Sequence, residues 1–201
     1  MPIKLKKTSE ADKNHNLYNG GFMKRIQNTM MTGLIIFVFL SGCSTVKVSD
    51  YADRTPKMIP EDFFTGRLTA HGVIKNRAGK VVRYFNADIN AYWEGNKGTL
   101  EEDFVYDNGE KQRRVWTLIR QPDGSYIGTA GDVIGEATGR IAGNSMFLEY
   151  VLEVPYGDGT ISLTMDDRMY LVEPQTLINE TVMYKLGFQV GEVVLVIRKQ
   201  L

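Results

Sequence analysis

The sequence has little cysteine, little histidine and no excess of charge. One Cys in 201 residues cannot form an internal disulfide or a multi-cysteine zinc site, and two His make histidine-based metal or triad chemistry unexpected. Lys and Arg number 24, as do Asp and Glu, and this balance argues against nucleic acid as a partner, because phosphate binding needs clustered surplus basic residues. We expect no metal site and no cofactor.

Long apolar runs are also scarce, and the exception lies near the N-terminus. Residues 30–40 are mostly apolar and follow Lys24 and Arg25, which is the layout of an export signal. Such a run forms roughly 16 Å of helix, about half of a ~30 Å hydrocarbon core, so its length disfavours a transmembrane anchor. We predict a signal peptide over residues 23–42. The polar residues 1–22 are either an over-extended start, with translation beginning at Met23, or a cytoplasmic leader.

The apolar run ends at the only cysteine. Leu40, Ser41, Gly42 and Cys43 resemble the lipobox of bacterial lipoproteins. The resemblance implies cleavage before Cys43 and attachment of lipid to it. It also implies sorting to the outer membrane, because residue 44 is not Asp. The alternative is a buried free cysteine at the end of an ordinary apolar segment. We predict an envelope protein held by lipidated Cys43 on the periplasmic face of the outer membrane.

The chain that would remain after cleavage is large enough for one domain. Without residues 1–42 it carries 18 basic and 22 acidic residues, so it is mildly acidic. A chain of this length buries about 70% of its unfolded surface. Residues 43–60 contain several Ser, Thr, Asp and Pro and are predicted to form a tether between the lipid and the fold. Residues 61–201 are predicted to form the folded domain.

The predicted domain is all-β. From Phe63 onward, segments of about ten residues rich in Val, Ile, Tyr, Phe and Thr alternate with Gly, Asn or Asp turns, and no segment of a dozen residues has helical spacing. Consecutive strands with tight turns fold most simply as an antiparallel up-and-down meander, and closure into a barrel of 8 to 10 strands removes both exposed edges. A two-sheet β-sandwich is the second choice.

Alternation within the strands predicts which side chains point inward. In the strand from Val81 to Trp93, Ala87 and Ala91 lie on the apolar side, and Met165 and Met169 do so in a later strand. Small side chains and flexible thioethers suit a wall that faces an apolar ligand, and they equally fill gaps in an ordinary core.

One hairpin places charge on an apolar face. A turn of three or five residues around Asn108 and Gly109 puts Glu102, Arg114 and Trp116 on the same side, whereas a two-residue turn sends Trp116 to the opposite side. We prefer the odd turn because it keeps the aromatic residues together. Glu102 and Arg114 then lie inside, close enough for a diagonal pair, and form either a structural ion pair or a contact for a polar ligand.

A second inward charge is predicted at Asp167, between Met165 and Met169. A carboxylate in that place needs a partner. Lys185 reaches it if the intervening hairpin has an odd turn, and Asn179 is another polar inward candidate. We favour a satisfied internal polar cluster, or a strand end already in solvent, over a catalytic role for Asp167.

A set of short segments in the domain carries a family resemblance. These are 102–106, 107–110, 113–116, 128–130, 166–170, 185–187 and 190–193. Together they resemble one family of bacterial lipoproteins, the domain of unknown function 3833, and the resemblance covers roughly residues 50–200. It implies a proteobacterial envelope lipoprotein of lipocalin-like shape with no established activity.

The favoured functional hypothesis is a barrel that binds or carries an apolar ligand, such as a fatty acyl chain or a lipid. The head group would be received by Arg114 with Glu102, or by Lys185 with Asp167. The apolar part would contact Ala87, Ala91, Trp116, Met165 and Met169.

Two other classes of function stay open. One is an enzyme acting on envelope lipids, with Asp167 or Glu102 as an acid or base whose pKa is raised by burial. The other is a structural or adaptor lipoprotein. Its docking site would be the strand Val193 to Ile197, which is apolar on both faces and therefore is covered or lies at a seam.

Overall fold

The computed structural model describes residues 45–200, and these contain ten antiparallel strands and two short helical segments. A 3-10 turn (Val48–Tyr51) and helix α1 (Pro60–Phe63) precede the first strand. The strands are β1 (Gly66–Asn76), β2 (Val81–Glu94), β3 (Lys97–Tyr106), β4 (Lys111–Arg120), β5 (Tyr126–Thr129), β6 (Val133–Ala142), β7 (Ser145–Tyr156), β8 (Gly159–Glu173), β9 (Thr176–Lys185) and β10 (Phe188–Lys199).

The strands form one closed barrel. Each strand pairs with its neighbours in sequence, and β10 returns to pair antiparallel with β1 from Leu68↔Lys199 to Asn76↔Gly191. The predicted all-β, up-and-down barrel is therefore confirmed, with ten strands, and the two-sheet sandwich is wrong. The apolar stretch Val193 to Ile197 lies in β10, and its pairing with β1 makes it the seam at which the barrel closes.

The interior is built from the period-two pattern of the strands. In β2, Phe85, Ala87, Ile89 and Ala91 are buried and the residues between them are exposed. Other strands continue this inner layer, which in the middle of the barrel includes Trp116, Leu148, Tyr150 and Met165.

Helix α1 closes one end of the barrel. Phe63 and the following Phe64 are only 2% and 3% exposed, and their rings meet edge to face at 5.1 Å. Trp93, near the end of β2, donates its indole N–H to the carbonyl of Phe64 at 2.9 Å. We call this the closed end. Within residues 45–200 the opposite end carries turns and no helix, and we call it the open end.

Residues 46–60, which the sequence assigns to a tether, pack against the barrel. The ring of Tyr51 lies 5.8 Å from that of Phe147 and 5.3 Å from that of Tyr170. Met58 is buried, and its backbone N–H donates to the carbonyl of Gly143 at 2.8 Å. This segment therefore belongs to the same compact unit as the strands.

The N-terminal predictions concern residues that the structure does not describe. The leader 1–22, the signal peptide 23–42 and the lipidation site Cys43 all lie outside the described residues. Among residues 45–200, the helical segments are too short and too polar to cross a bilayer.

Candidate functional site

The turn between β3 and β4 determines which charges enter the barrel. Its three residues, 107–109, end in Gly109 with a φ of 82°, which a glycine adopts without strain. This odd turn sets a register in which Glu102 lies directly opposite Arg114, and both side chains point inward. The sequence predicted this turn and face, although it expected a diagonal rather than a direct pair.

Arg114 has a closer partner than the one predicted. Its Nε and Nη2 donate to both carboxylate oxygens of Asp132 at 2.7 to 3.1 Å, whereas its Nη1 lies 4.0 Å from Glu102. Burial alone would lower the pKa of Arg114, but the bonds to Asp132 and the charge of Glu102 outweigh it, so the net shift is upward. Asp132 lies in the turn before β6, where side chains do not alternate between two faces, so this contact could not be predicted from the sequence pattern.

Glu102 is enclosed by protein and yet keeps contact with solvent. Its side chain is 13% exposed, and within residues 45–200 its carboxylate accepts no hydrogen bond. Burial raises its pKa to about 7; Arg114 opposes the shift, while Asp167 and Asp132 add to it. The carboxylate of Glu102 therefore lies on the inner wall with a small part of its surface still accessible.

Asp167 occupies the middle of β8, between the buried Met165 and Met169. Asn179 on β9 donates a short hydrogen bond to it, and the hydroxyl of Tyr150 lies 3.5 Å from its second oxygen. Burial raises the pKa of Asp167 to about 6, although bonds from neighbouring polar side chains oppose the shift. Asp167 is therefore part of a larger group of interacting polar side chains, with Asn179 as its own partner. We call this group the polar cluster, and its members are Glu102, Arg114, Asp132, Tyr150, Asp167 and Asn179.

The structure does not bring Lys185 to Asp167. The register of β8 and β9 pairs Asp167 with Thr181 and places Lys185 four residues further toward the open end. The ammonium group of Lys185 donates instead to the backbone carbonyl of Ser162 at 3.0 Å. The face of Lys185 was expected from alternation, but the distance along the strand separates the two charges.

The predicted apolar contacts are spread along the length of the barrel. The ring of Trp116 meets that of Tyr150 edge to face at 5.2 Å, and this places Trp116 beside the polar cluster. Ala87 lies opposite Phe104, nearer the open end. Ala91 lies opposite Leu100 in the tightly packed closed half.

The interior is closely packed along much of its length. Neighbouring side chains occupy the space beside the inward glycines: a Cβ at Gly139 would lie 2.9 Å from Leu148, one at Gly98 would lie 2.6 Å from the Trp93 ring, and one at Gly72, toward the open end, would lie 2.7 Å from Leu195. Phe85 and Leu163 are buried in the open half, but several other inward apolar side chains there are partly exposed. These are Phe104, Val133, Val154, Ile161, Met183 and Leu195.

The polar cluster does not form a metal centre. Within residues 45–200 no three His, Cys, Asp or Glu side chains converge on one point. Glu102, Asp132 and Asp167 are therefore spread along the interior wall rather than gathered around a single ion. The arrangement is suited to hydrogen bonding and proton exchange with an organic group.

The fold and the interior define the class of protein: a closed antiparallel up-and-down barrel whose core contains a mixed polar cluster. The chain belongs to the family described as "Protein of unknown function (DUF3833)", whose model matches residues 37–199. A search of curated proteins found no match.

Two solved structures show a low degree of likeness. The S-type phycobiliprotein lyase CPES from Guillardia theta is 13% identical, with a TM-score of 0.43, over 68% of this chain and 89% of that chain. A putative AttH from Nitrosomonas europaea is 9% identical, with a TM-score of 0.23, over 78% of this chain and 55% of that chain.

Proposed function

We propose that this protein is a lipid-anchored barrel of the cell envelope that binds an apolar ligand in the half of its interior nearest the open end. The observation that carries the proposal is the partial exposure of several inward apolar side chains there, together with the inward carboxyl of Glu102. Covering such apolar surface with a ligand would contribute about 25 cal/mol of binding free energy for each Å² removed from water.

The difference between the two ends supports a binding role for this surface. Helix α1 and the buried rings of Phe63 and Phe64 cover the closed end. At the open end Phe104 and Leu195 stay partly exposed, and no helix of residues 45–200 covers them. Small-molecule sites in barrels combine such an apolar wall with a few polar groups that orient the ligand.

The proposed position of the ligand follows from the side chains that face inward in the middle of the barrel. Trp116 and Met165 would contact the apolar part, because both face inward beside the polar cluster. Ala87 and Met169 would extend that contact along the wall. Ala91 lies deepest in the packed closed half, beyond the half proposed to bind the ligand, and we assign it no contact.

Binding is tested with a neutral apolar fluorophore, N-phenyl-1-naphthylamine, added to the full-length protein. Leu195→Trp fills the inner wall and should weaken binding of the fluorophore. Val196→Trp adds the same ring to the outer face of β10 and should leave binding unchanged. Native mass spectrometry after mild extraction should also show a co-purified acyl species. Absence of any probe binding by the wild-type protein would refute the proposal.

The envelope location rests on the residues before the barrel. The apolar run and the segment Leu40 to Cys43 support lipid attachment and anchoring in the outer membrane, facing the periplasm. Cys43→Ser should move the protein from the membrane fraction to the soluble fraction and abolish labelling by a palmitate analogue. If the variant stays membrane-bound and the wild type is unlabelled, the anchor is of another kind.

A second candidate function is acid–base catalysis on an envelope lipid. The pKa values of about 7 for Glu102 and about 6 for Asp167 favour it, because a catalytic acid or base works best near the ambient pH. Asp167→Asn would then abolish turnover of a lipid substrate without lowering its retention. Equal loss of retention and turnover would favour plain binding.

A further inference from the structure

We infer that the interior site prefers an apolar ligand with a cationic end, such as a protonated amine, over one with a carboxylate or phosphate. This inference rests on the proposed function. It follows from the balance and the pairing of the charges on the inner wall, and it reverses the simpler expectation that Arg114 receives an anionic head group.

The polar cluster contains more acid than base. Glu102, Asp132 and Asp167 face the interior, and one guanidinium, that of Arg114, faces them. Lys185 is further toward the open end and is bonded to a backbone carbonyl. With all groups ionised the cluster therefore carries a net charge of about minus two, and an anionic end would enter a region of like charge.

Arg114 is already used by the protein. Three hydrogen bonds of 2.7 to 3.1 Å join it to Asp132, and this fork-like geometry is the one in which an arginine would bind a ligand carboxylate. Its remaining Nη1 points toward Glu102 at 4.0 Å. An anionic ligand would have to displace Asp132 and leave that carboxylate without its partner.

Glu102 is the carboxylate of the cluster that can still accept a hydrogen bond from a ligand. Asp167 already accepts hydrogen bonds from Asn179 and faces the hydroxyl of Tyr150, whereas within residues 45–200 Glu102 has no hydrogen-bond donor. Its side chain points inward and keeps 13% of its surface exposed, so part of the carboxylate stays accessible to a donor. An ammonium group supplies three donors and the missing positive charge.

The other titratable groups around Glu102 do not change the net negative charge of the polar cluster. Tyr150 on β7 has a pKa far above its usual value because it is buried and faces Asp167, so it stays neutral. Burial likewise raises the pKa of Tyr106 on β3, whose hydroxyl donates to Gln112. A metal ion is a poor alternative occupant, because no three acidic or His side chains of residues 45–200 converge on one point.

The test compares two probes of equal chain length, dodecylamine and dodecanoate, below their aggregation concentrations. Each is titrated into the full-length protein carrying N-phenyl-1-naphthylamine, and displacement gives its affinity. At pH 8 the carboxylates are ionised and attract the ammonium group but repel a ligand carboxylate, so we expect the amine to bind about tenfold tighter or more, which equals about 1.4 kcal/mol. The preference should shrink at pH 5.5, where Glu102 and Asp167 take up protons.

Two variants locate the effect. Glu102→Gln should reduce the amine preference by about fivefold or more, while Glu101→Gln, the adjacent residue on the outer face, should keep it. Equal or tighter binding of dodecanoate by the wild type would overturn the inference while leaving the proposed function intact. Failure of both probes and of the fluorophore to bind would overturn both. A preference unchanged by Glu102→Gln would also overturn the inference, since the attraction would then lie elsewhere.

Discussion

Replacing Glu102 by Gln should make the protein more stable at high pH, although it removes one partner of Arg114. In the folded chain the pKa of Glu102 is about 7, against 4.5 for an unperturbed Glu, so folding favours its protonated form. Stability therefore falls as the pH rises from about 4.5 to 7. A difference of this size corresponds to about 3 kcal/mol of unfolding free energy at pH 8, all of which the neutral Gln avoids.

The measurement is urea unfolding of the full-length protein at several pH values, followed by the fluorescence of its two tryptophans. At about pH 4.5 the variant and the wild type should be nearly equal in stability. At about pH 8 the variant should unfold at higher urea concentration. Glu101→Gln removes a neighbouring carboxylate on the outer face and is the control. If the gain at pH 8 is no greater than the one at pH 4.5, or no greater than that of the control, Glu102 is not an enclosed, costly charge.

Two other substitutions test the packing of the closed half and the hydrogen bonds between Arg114 and Asp132. Gly98→Ala should destabilise the protein by about 1–3 kcal/mol in urea, because the added methyl would lie 2.6 Å from the ring of Trp93; a neutral result would mean that the ring moves freely. Asp132→Asn should cost about 2 kcal/mol, less than a fully buried pair, since the two side chains are 16% and 24% exposed. A loss below about 0.5 kcal/mol would show that Arg114 is held equally well by Glu102.

The architecture was predictable because strands and turns are local features. Runs of β-branched and aromatic residues separated by Gly, Asn and Asp define the hairpins, and a sequence without helical spacing leaves few ways to cover the edges. Alternation also predicted the inward faces of Glu102, Arg114 and Asp167, since each lies within a strand whose neighbours in the pattern are apolar.

Contacts between distant segments were not predictable in the same way. Asp132 lies in a turn, and only the pairing of β4, β5 and β6 brings it to the guanidinium of Arg114. Lys185 has the expected face, but alternation carries no information about the distance along a strand that separates it from Asp167. Residues 46–60 are polar enough to suggest a tether, yet Tyr51 and Met58 attach them to the barrel.

Local periodicity was thus sufficient to predict the class of fold and, within a narrow range, the number of strands. It also predicted the side on which each charge lies, because side chains alternate every two residues in a strand whatever surrounds it. Three-dimensional closure was needed to decide the partner of each charge, the end of the barrel that helix α1 fills, and the excess of acid in the middle. Those properties depend on which strands become neighbours around the barrel, and no single segment of the chain contains that information.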